Sequence, residues 1–138
     1  MSIWFNNYTV DDIITKDTMV EHLGIEVTQL GDDFVVGTMP VDKRTKQPFG
    51  ILHGGASVAL AETLASYAGF LTIDPEKYHI VGIEINANHL KMAKKGFVTG
   101  KCSPIKRGRS TQVWQTKITN EDDELICISR ITLMVLEK

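Results

Sequence analysis

The sequence has almost no cysteine, no bias of charge and no long apolar run, and each shortage removes a class of function. Cys102 and Cys127 are the only two cysteines in 138 residues. They stand alone on separate strand-like runs, with no C-x-x-C pair and no neighbouring histidine at zinc-ligand spacing. Packing is the expected role of both thiols, and no metal or resident cofactor is implied. The 15 basic and 17 acidic residues leave a formal charge of −2. They are mixed along the chain, so no global field draws it to nucleic acid or to an anionic membrane. Any anion site must be local. No apolar run approaches the ~20 residues that span a bilayer, and MSIWFNNYTVDD has no basic stretch ahead of an apolar core. The expected location is the cytoplasm. With 43% hydrophobic residues, one core can be filled but hardly two, and residues 1–138 read as a single domain.

What is present is a short order of elements. Thr9 can cap a turn containing Asp11 and Asp12, and Asp17 can cap a second turn running through His22, which makes the first twenty or so residues a lid or packing strap. Gly24 to Leu30 and Phe34 to Met39 flank Gly31-Asp32-Asp33 as a hairpin. The polar segment 41–49 then leads into a run from about Gly54 to Leu71 that is rich in Ala and Leu and lacks proline. Because that run is apolar on nearly every side, it reads as a buried helix. Four strand-like runs follow, at about Ile80–Leu90, Phe97–Ile105, Thr111–Thr119 and Leu125–Leu136. Their short separators predict a four-stranded antiparallel meander. An α+β architecture results, a curved antiparallel sheet of about six strands wrapped around one central helix.

The chemistry concentrates at the start of that helix. In Gln47-Pro48-Phe49-Gly50-Ile51-Leu52-His53-Gly54-Gly55 the two adjacent glycines let a ligand approach the backbone. The first N–H groups of a helix lack intrahelical partners and sit at its positive end. They could hold the negative charge that develops on a carbonyl oxygen in acyl transfer, or the glycines could serve only a tight turn. Glu62 is the only charged residue between His53 and Asp74. As a carboxylate among apolar neighbours it is expected to be buried and held for function, with Ser66 one turn on as its polar neighbour. Gly55 and Glu62 are seven residues apart, which at the helical rise is about 10 Å. One helix cannot bring both to one carbonyl, so two helices side by side in a homodimer are expected, with Gly55 of one facing Glu62 of the other. His53 is equally readable as structural, and His22, His79 and His89 show no metal spacing with it.

The segment from Gln47 to Ser66, Q-P-F-G-x-L-H-G-G-A-S-x-A-L-A-E-T-x-x-S, resembles the hot-dog fold thioesterases. The bacterial branch it resembles includes 1,4-dihydroxy-2-naphthoyl-CoA thioesterase of menaquinone synthesis and the enterobactin proofreading thioesterase. The similarity continues through Leu23-Gly24-Ile25, Met39-Pro40-Val41, Val81-Gly82, Asn86-Ala87 and Gly108-Arg109. The resemblance implies a hydrolase for an aromatic acyl-CoA, with coenzyme A part of the substrate, and a homotetramer built from dimers. It makes Glu62 the nucleophile or general base and the Gly55 N–H the donor to the thioester carbonyl. Gln47 and His53 would line the carbonyl and thiolate side, and Ser66 would orient Glu62 or its water. The acyl pocket is expected near Tyr67, Ala68, Phe70 and Gly82.

Coenzyme A carries phosphates, and the basic turn Lys106-Arg107-Gly108-Arg109-Ser110, with His89 and Lys91, is the candidate site for them. The same turn is also readable as a solvated loop. Leu90-Lys91-Met92 stands where related sequences often carry His-Arg-Pro. Two other readings compete: a hot-dog dehydratase or hydratase, and a non-catalytic acyl-CoA-binding module. The first is expected to carry a proline-rich H-F-P-type segment where His53 is followed here by two glycines, and the second would not need Glu62, Ser66 and Gly55.

Overall fold

The computed structural model describes residues Met1 to Lys138. Its centre is the predicted helix, which runs Gly54–Leu71 and is called α2. Leu60, Leu64, Ala65 and Ala68 have no exposed surface, and they form the stripe on which the sheet closes. Six antiparallel strands make that sheet: β1 (Glu26–Leu30), β2 (Val35–Pro40), β3 (Tyr78–His89), β4 (Phe97–Arg107), β5 (Thr111–Thr119) and β6 (Leu125–Glu137). This is the hot-dog fold. The alternation in the last strands resolves cleanly: Gln112, Trp114, Thr116 and Ile118 of β5 point inward, as do Cys127, Ser129, Ile131 and Leu133 of β6.

The strand order is β1-β2-β4-β5-β6-β3, which corrects the expected meander. β3 does not pair with β4, although only residues 90–96 separate them. That link passes over the start of α2, where the Ala93 carbonyl accepts the Leu52 N–H at 2.8 Å, and delivers the chain to β2 instead. β3 is left as one edge of the sheet, paired only with β6. Val81 and Ile83 on it are 41% and 52% exposed. The register shifts between Gly82 and Glu84, a bulge that bends the edge.

The first residues form the expected strap. The Ile3 and Phe5 N–H groups donate to Asp32 and Leu71 carbonyls at 2.9 and 2.8 Å, and the Trp4 indole N–H donates to Gly31 O at 2.8 Å. Thr9 caps a 3-10 turn, Val10–Asp12, reciprocally with Asp12. The following turn, α1 (Met19–His22), has Thr18 rather than Asp17 at its N-cap. Asp17 instead takes a left-handed φ of 61°, its N–H donating to the Glu21 carboxylate at 2.8 Å.

A buried polar chain fixes the far end of α2. The Trp114 indole N–H donates to Gln112 Oε1 at 2.8 Å, Gln112 Nε2 donates to Thr72 Oγ1 at 2.9 Å, and that hydroxyl donates to Gly69 O at 2.7 Å. Gln112→Leu keeps the volume but strands the Trp114 N–H where water does not reach. Such an orphaned donor costs about 1–3 kcal/mol. The urea midpoint should fall accordingly with an unchanged slope, and a midpoint equal to the wild type would show the chain to be dispensable. The two thiols are packing groups: both cysteines have no exposed surface, and burial pushes the Cys102 thiol up to about 12. No helix is long and apolar enough to cross a membrane.

Candidate active site

The sheet covers one face of α2 and leaves the other open, so the helix is not buried on every side. Gly55, Glu62 and Phe70 are exposed, and Val58, Ala59, Thr63, Ser66 and Tyr67 are half-buried between them. Glu62 is therefore a solvent-facing carboxylate in the single chain, not the buried one its neighbours implied. Small and apolar residues surround it because this face borders the free β3 edge, not because the sheet encloses it. Gly82 of β3 lies against it: a Cβ built there would stand 3.8 Å from Glu62 Oε1, with no positive φ to forbid it. Ser66 shares the face but makes no hydrogen bond to Glu62. Ala68 belongs to the core, with no exposed surface, and so leaves the expected acyl pocket. Tyr67 and Phe70 remain at the surface of α2, and the Tyr67 hydroxyl donates to Ile14 O at 2.8 Å.

At the helix start the donors sort themselves. The Ala56 and Ser57 N–H groups donate to His53 O at 3.0 and 3.3 Å. The Gly55 N–H donates to His53 Nδ1 at 2.7 Å, making the imidazole the N-cap. This corrects the role expected of Gly55, because its N–H is already engaged. Gly54 is the first residue of α2, and its N–H alone in that turn has no acceptor. A Cβ at Gly54 would come within 2.8 Å of His89 Nε2. Only glycine fits comfortably under that ring.

The two adjacent glycines open onto different grooves. One, of about 360 Å³, is lined by Gln47, Gly54, Ser57, His89, Lys91 and Ala93, among others. The other, of about 490 Å³, holds Met19, Val20, Gly55, Glu62, Ser66 and Tyr67 in its walls. Gln47 stands on the turn before α2, closed by the Gly50 N–H on Gln47 O at 2.9 Å, where Gly50 takes φ 82°. Its side-chain oxygen accepts the Phe49 N–H, which leaves the amide nitrogen without an acceptor. The free donor and the carboxylate are eight residues apart on one helix, about 12 Å at the helical rise. Neither of these two grooves contains both.

The basic residues do not gather as the sequence order implied. Ser110 O accepts the Val135 N–H at 2.8 Å, and Val135 pairs with Ile80, so the turn 106–110 lies at the Tyr78 end of β3. His89 lies at the other end, opposite Cys127. Nine residues of strand separate the two levels, about 30 Å at the strand rise. Lys106, Arg107, Gly108, Arg109 and Ser110 therefore cannot share a phosphate with His89 and Lys91 of the same chain. Lys91 is moreover ion-paired with Glu124, and the Lys91 ammonium, followed by the Asn120 amide, holds that carboxyl below the usual range.

The sequence does not distinguish Gly54 from Gly55 as the donor, and it gives no sign of Met19 and Val20. Gly54 had a signal in its first place in the helix, but which glycine keeps a free N–H depends on the His53 rotamer. Met19 and Val20 carry no local signal, because more than thirty residues separate them from α2.

Comparison with known proteins adds an independent line. The sequence model of the Thioesterase superfamily matches residues 49–127. The 1,4-dihydroxy-2-naphthoyl-CoA hydrolase of Escherichia coli is 47% identical over 97% of this chain and 99% of its own. The proofreading thioesterase EntH of Cronobacter turicensis is 48% identical over 97% and 98%. Among solved structures, a thioesterase of Haemophilus influenzae superposes with a TM-score of 0.94 at 47% identity, covering 98% of this chain and 95% of that one. A mutant thioesterase of Pseudomonas aeruginosa superposes with a TM-score of 0.97 at 40% identity, covering 99% and 100%. Near-half identity along almost the whole of both chains, on the same sheet and helix, leaves one conclusion: this chain belongs to the Thioesterase superfamily.

Proposed function

We propose that the protein hydrolyses the thioester of an aromatic acyl-CoA in a site that two copies of the chain complete. The observation that carries this reading is the separation of the free Gly54 N–H from Glu62, on one helix but in different grooves, with Glu62 set against the unpaired β3 edge. A second chain meeting that edge about a two-fold axis would run its α2 antiparallel to the first and bring Gly54 of one copy to Glu62 of the other. The exposed Val81 and Ile83 supply the apolar surface for such a contact.

In that site the Gly54 N–H, at the positive end of α2, polarises the thioester carbonyl, and the Gln47 amide nitrogen is the second donor within the same groove. Glu62 of the partner subunit attacks the carbonyl carbon or takes a proton from the water that does. Where water attacks, its C–O bond replaces the C–S bond and the proton taken by Glu62 passes to the departing sulfur, giving free acid and thiol. Where Glu62 attacks, a mixed anhydride replaces the thioester, the thiolate leaves, and water then cleaves the anhydride, its proton ending on the thiolate. His53 holds the helix start in shape, Gly82 leaves space beside the carboxylate, and Ser66 faces the substrate side of the same groove. With the two basic regions at opposite ends of β3, the nucleotide would be shared between His89 of one chain and the 106–110 turn of the other. A cytoplasmic tetramer of two such dimers is the expected assembly.

The aromatic preference draws on the E. coli relative, which its name says acts on 1,4-dihydroxy-2-naphthoyl-CoA. The test is thiol release from benzoyl-, 1,4-dihydroxy-2-naphthoyl-, hexanoyl- and decanoyl-CoA. The aryl substrates should lead by at least about 10-fold in kcat/KM, the lower end of what a one-methylene difference in fit to an apolar pocket is worth. An aliphatic lead would overturn the aromatic assignment, and no thiol from any of the four would overturn hydrolysis.

A further inference from the structure

We infer that the N-terminal α1 turn, through Met19 and Val20, forms the outer wall of the acyl groove beside Glu62 and selects the acyl group by its bulk. This rests on the hydrolase reading above. Met19 and Val20 line the same groove as Glu62, Val58, Ala59 and Tyr67, and its volume of about 490 Å³ lies within the ~300–1,000 Å³ common for ligand sites. The wall is held on both sides. Before it, the Tyr67 hydroxyl fastens Ile14 O to α2 at 2.8 Å; after it, Leu23 packs on the core and Ile25 is 2% exposed.

The two wall residues differ in what else they do. Val20 packs against the core, whereas Met19 is 62% exposed. A large apolar side chain held over a groove by a pinned turn, with the candidate catalytic carboxylate on the facing helix, is placed to touch what the carboxylate acts on. Its flexible thioether suits the edge of an aromatic ring. Tyr67 acts through the strap as a positioning residue.

The test compares benzoyl-CoA with hexanoyl-CoA for wild type, Met19→Ala, Met19→Trp and Tyr67→Phe. The wall reading expects Met19→Ala to lower the benzoyl-to-hexanoyl ratio of kcat/KM at least fivefold, mainly through KM. Met19→Trp should narrow the groove and raise KM for benzoyl-CoA by a similar factor. Tyr67→Phe should move the ratio in the same direction as Met19→Ala and speed proteolysis between residues 10 and 20. Melting temperatures within a degree or so of the wild type would show that no Met19 effect comes from unfolding. Ratios within twofold of the wild type in both Met19 variants would overturn the wall. A wild type that releases no thiol from either substrate would overturn the hydrolase reading itself, and the wall with it.

Discussion

Glu62→Gln should lower kcat by about a thousandfold, within the range of roughly 10²–10⁴ that a positioned acid or base contributes, while leaving the protein fully folded. The two halves of this expectation come from different facts. Glu62 is exposed in the chain, and neither of its oxygens takes part in a hydrogen bond or an ion pair. Removing its charge therefore strands nothing, and the thermal midpoint should stay where it is or rise slightly. Its amide replacement keeps the shape beside Gly82 but cannot accept a proton from water or form an acyl bond. Thiol release followed by a chromogenic disulfide, with a thermal melt on the same samples, checks both. Activity within tenfold of the wild type would remove Glu62 from the mechanism.

The second large effect isolates a single backbone hydrogen. Gly54→Pro deletes the one first-turn N–H without an acceptor, at the helix position where proline is best tolerated. His53 ahead of it already has φ −68° and ψ 131°, the extended conformation that a following proline demands. The added Cβ would press on His89 Nε2 from 2.8 Å, but that ring is exposed and can turn away. Gly54→Ala carries the same Cβ and keeps the N–H, so the difference between the two variants reports the donor. Loss of one oxyanion donor lowers kcat by about 10²–10³, and the proline variant should fall below the alanine variant by that factor. Equal rates in the two would remove the Gly54 donor.

The same pair of variants tests the two-chain site. If Glu62 and Gly54 of different copies work together, a mixed dimer of Glu62→Gln and Gly54→Pro chains has one doubly damaged site and one intact site. Random re-pairing of equal amounts should then restore about a quarter of wild-type activity. No recovery after demonstrated exchange of subunits would place both groups on one chain.

Elements bounded by local chemistry were legible in the sequence. The helix begins at Gly54 and ends at Leu71 as its composition requires, and all six strands lie close to where their β-branched runs put them. Pairing was not legible. Residues 90–96 look like a hairpin link, yet they carry the chain over the helix start, and nothing in their composition distinguishes a turn back from a crossing. That one error propagated to the site. With β3 beside β4, His89 and the 106–110 turn would be neighbours; with β3 beside β6 they are a strand length apart. Glu62 stands out in the sequence because its charge is isolated, and in the fold that isolation marks a face left open beside the sheet edge, not burial. The reassignment from Gly55 to Gly54 turned on the rotamer of His53, which no sequence pattern specifies.

The unpaired β3 edge also bears on the life of a single copy of the chain. A twelve-residue strand with a free row of backbone donors and acceptors, and with Val81 and Ile83 uncovered, is a template for indiscriminate association. The bulge at Ile83 and the charge of Glu84 next to it interrupt that template in its middle. If two copies complete the site as proposed, a newly made copy is both idle and sticky until it meets another. Specific activity should fall on dilution, and the amount of this protein in a cell would set its turnover more steeply than in proportion.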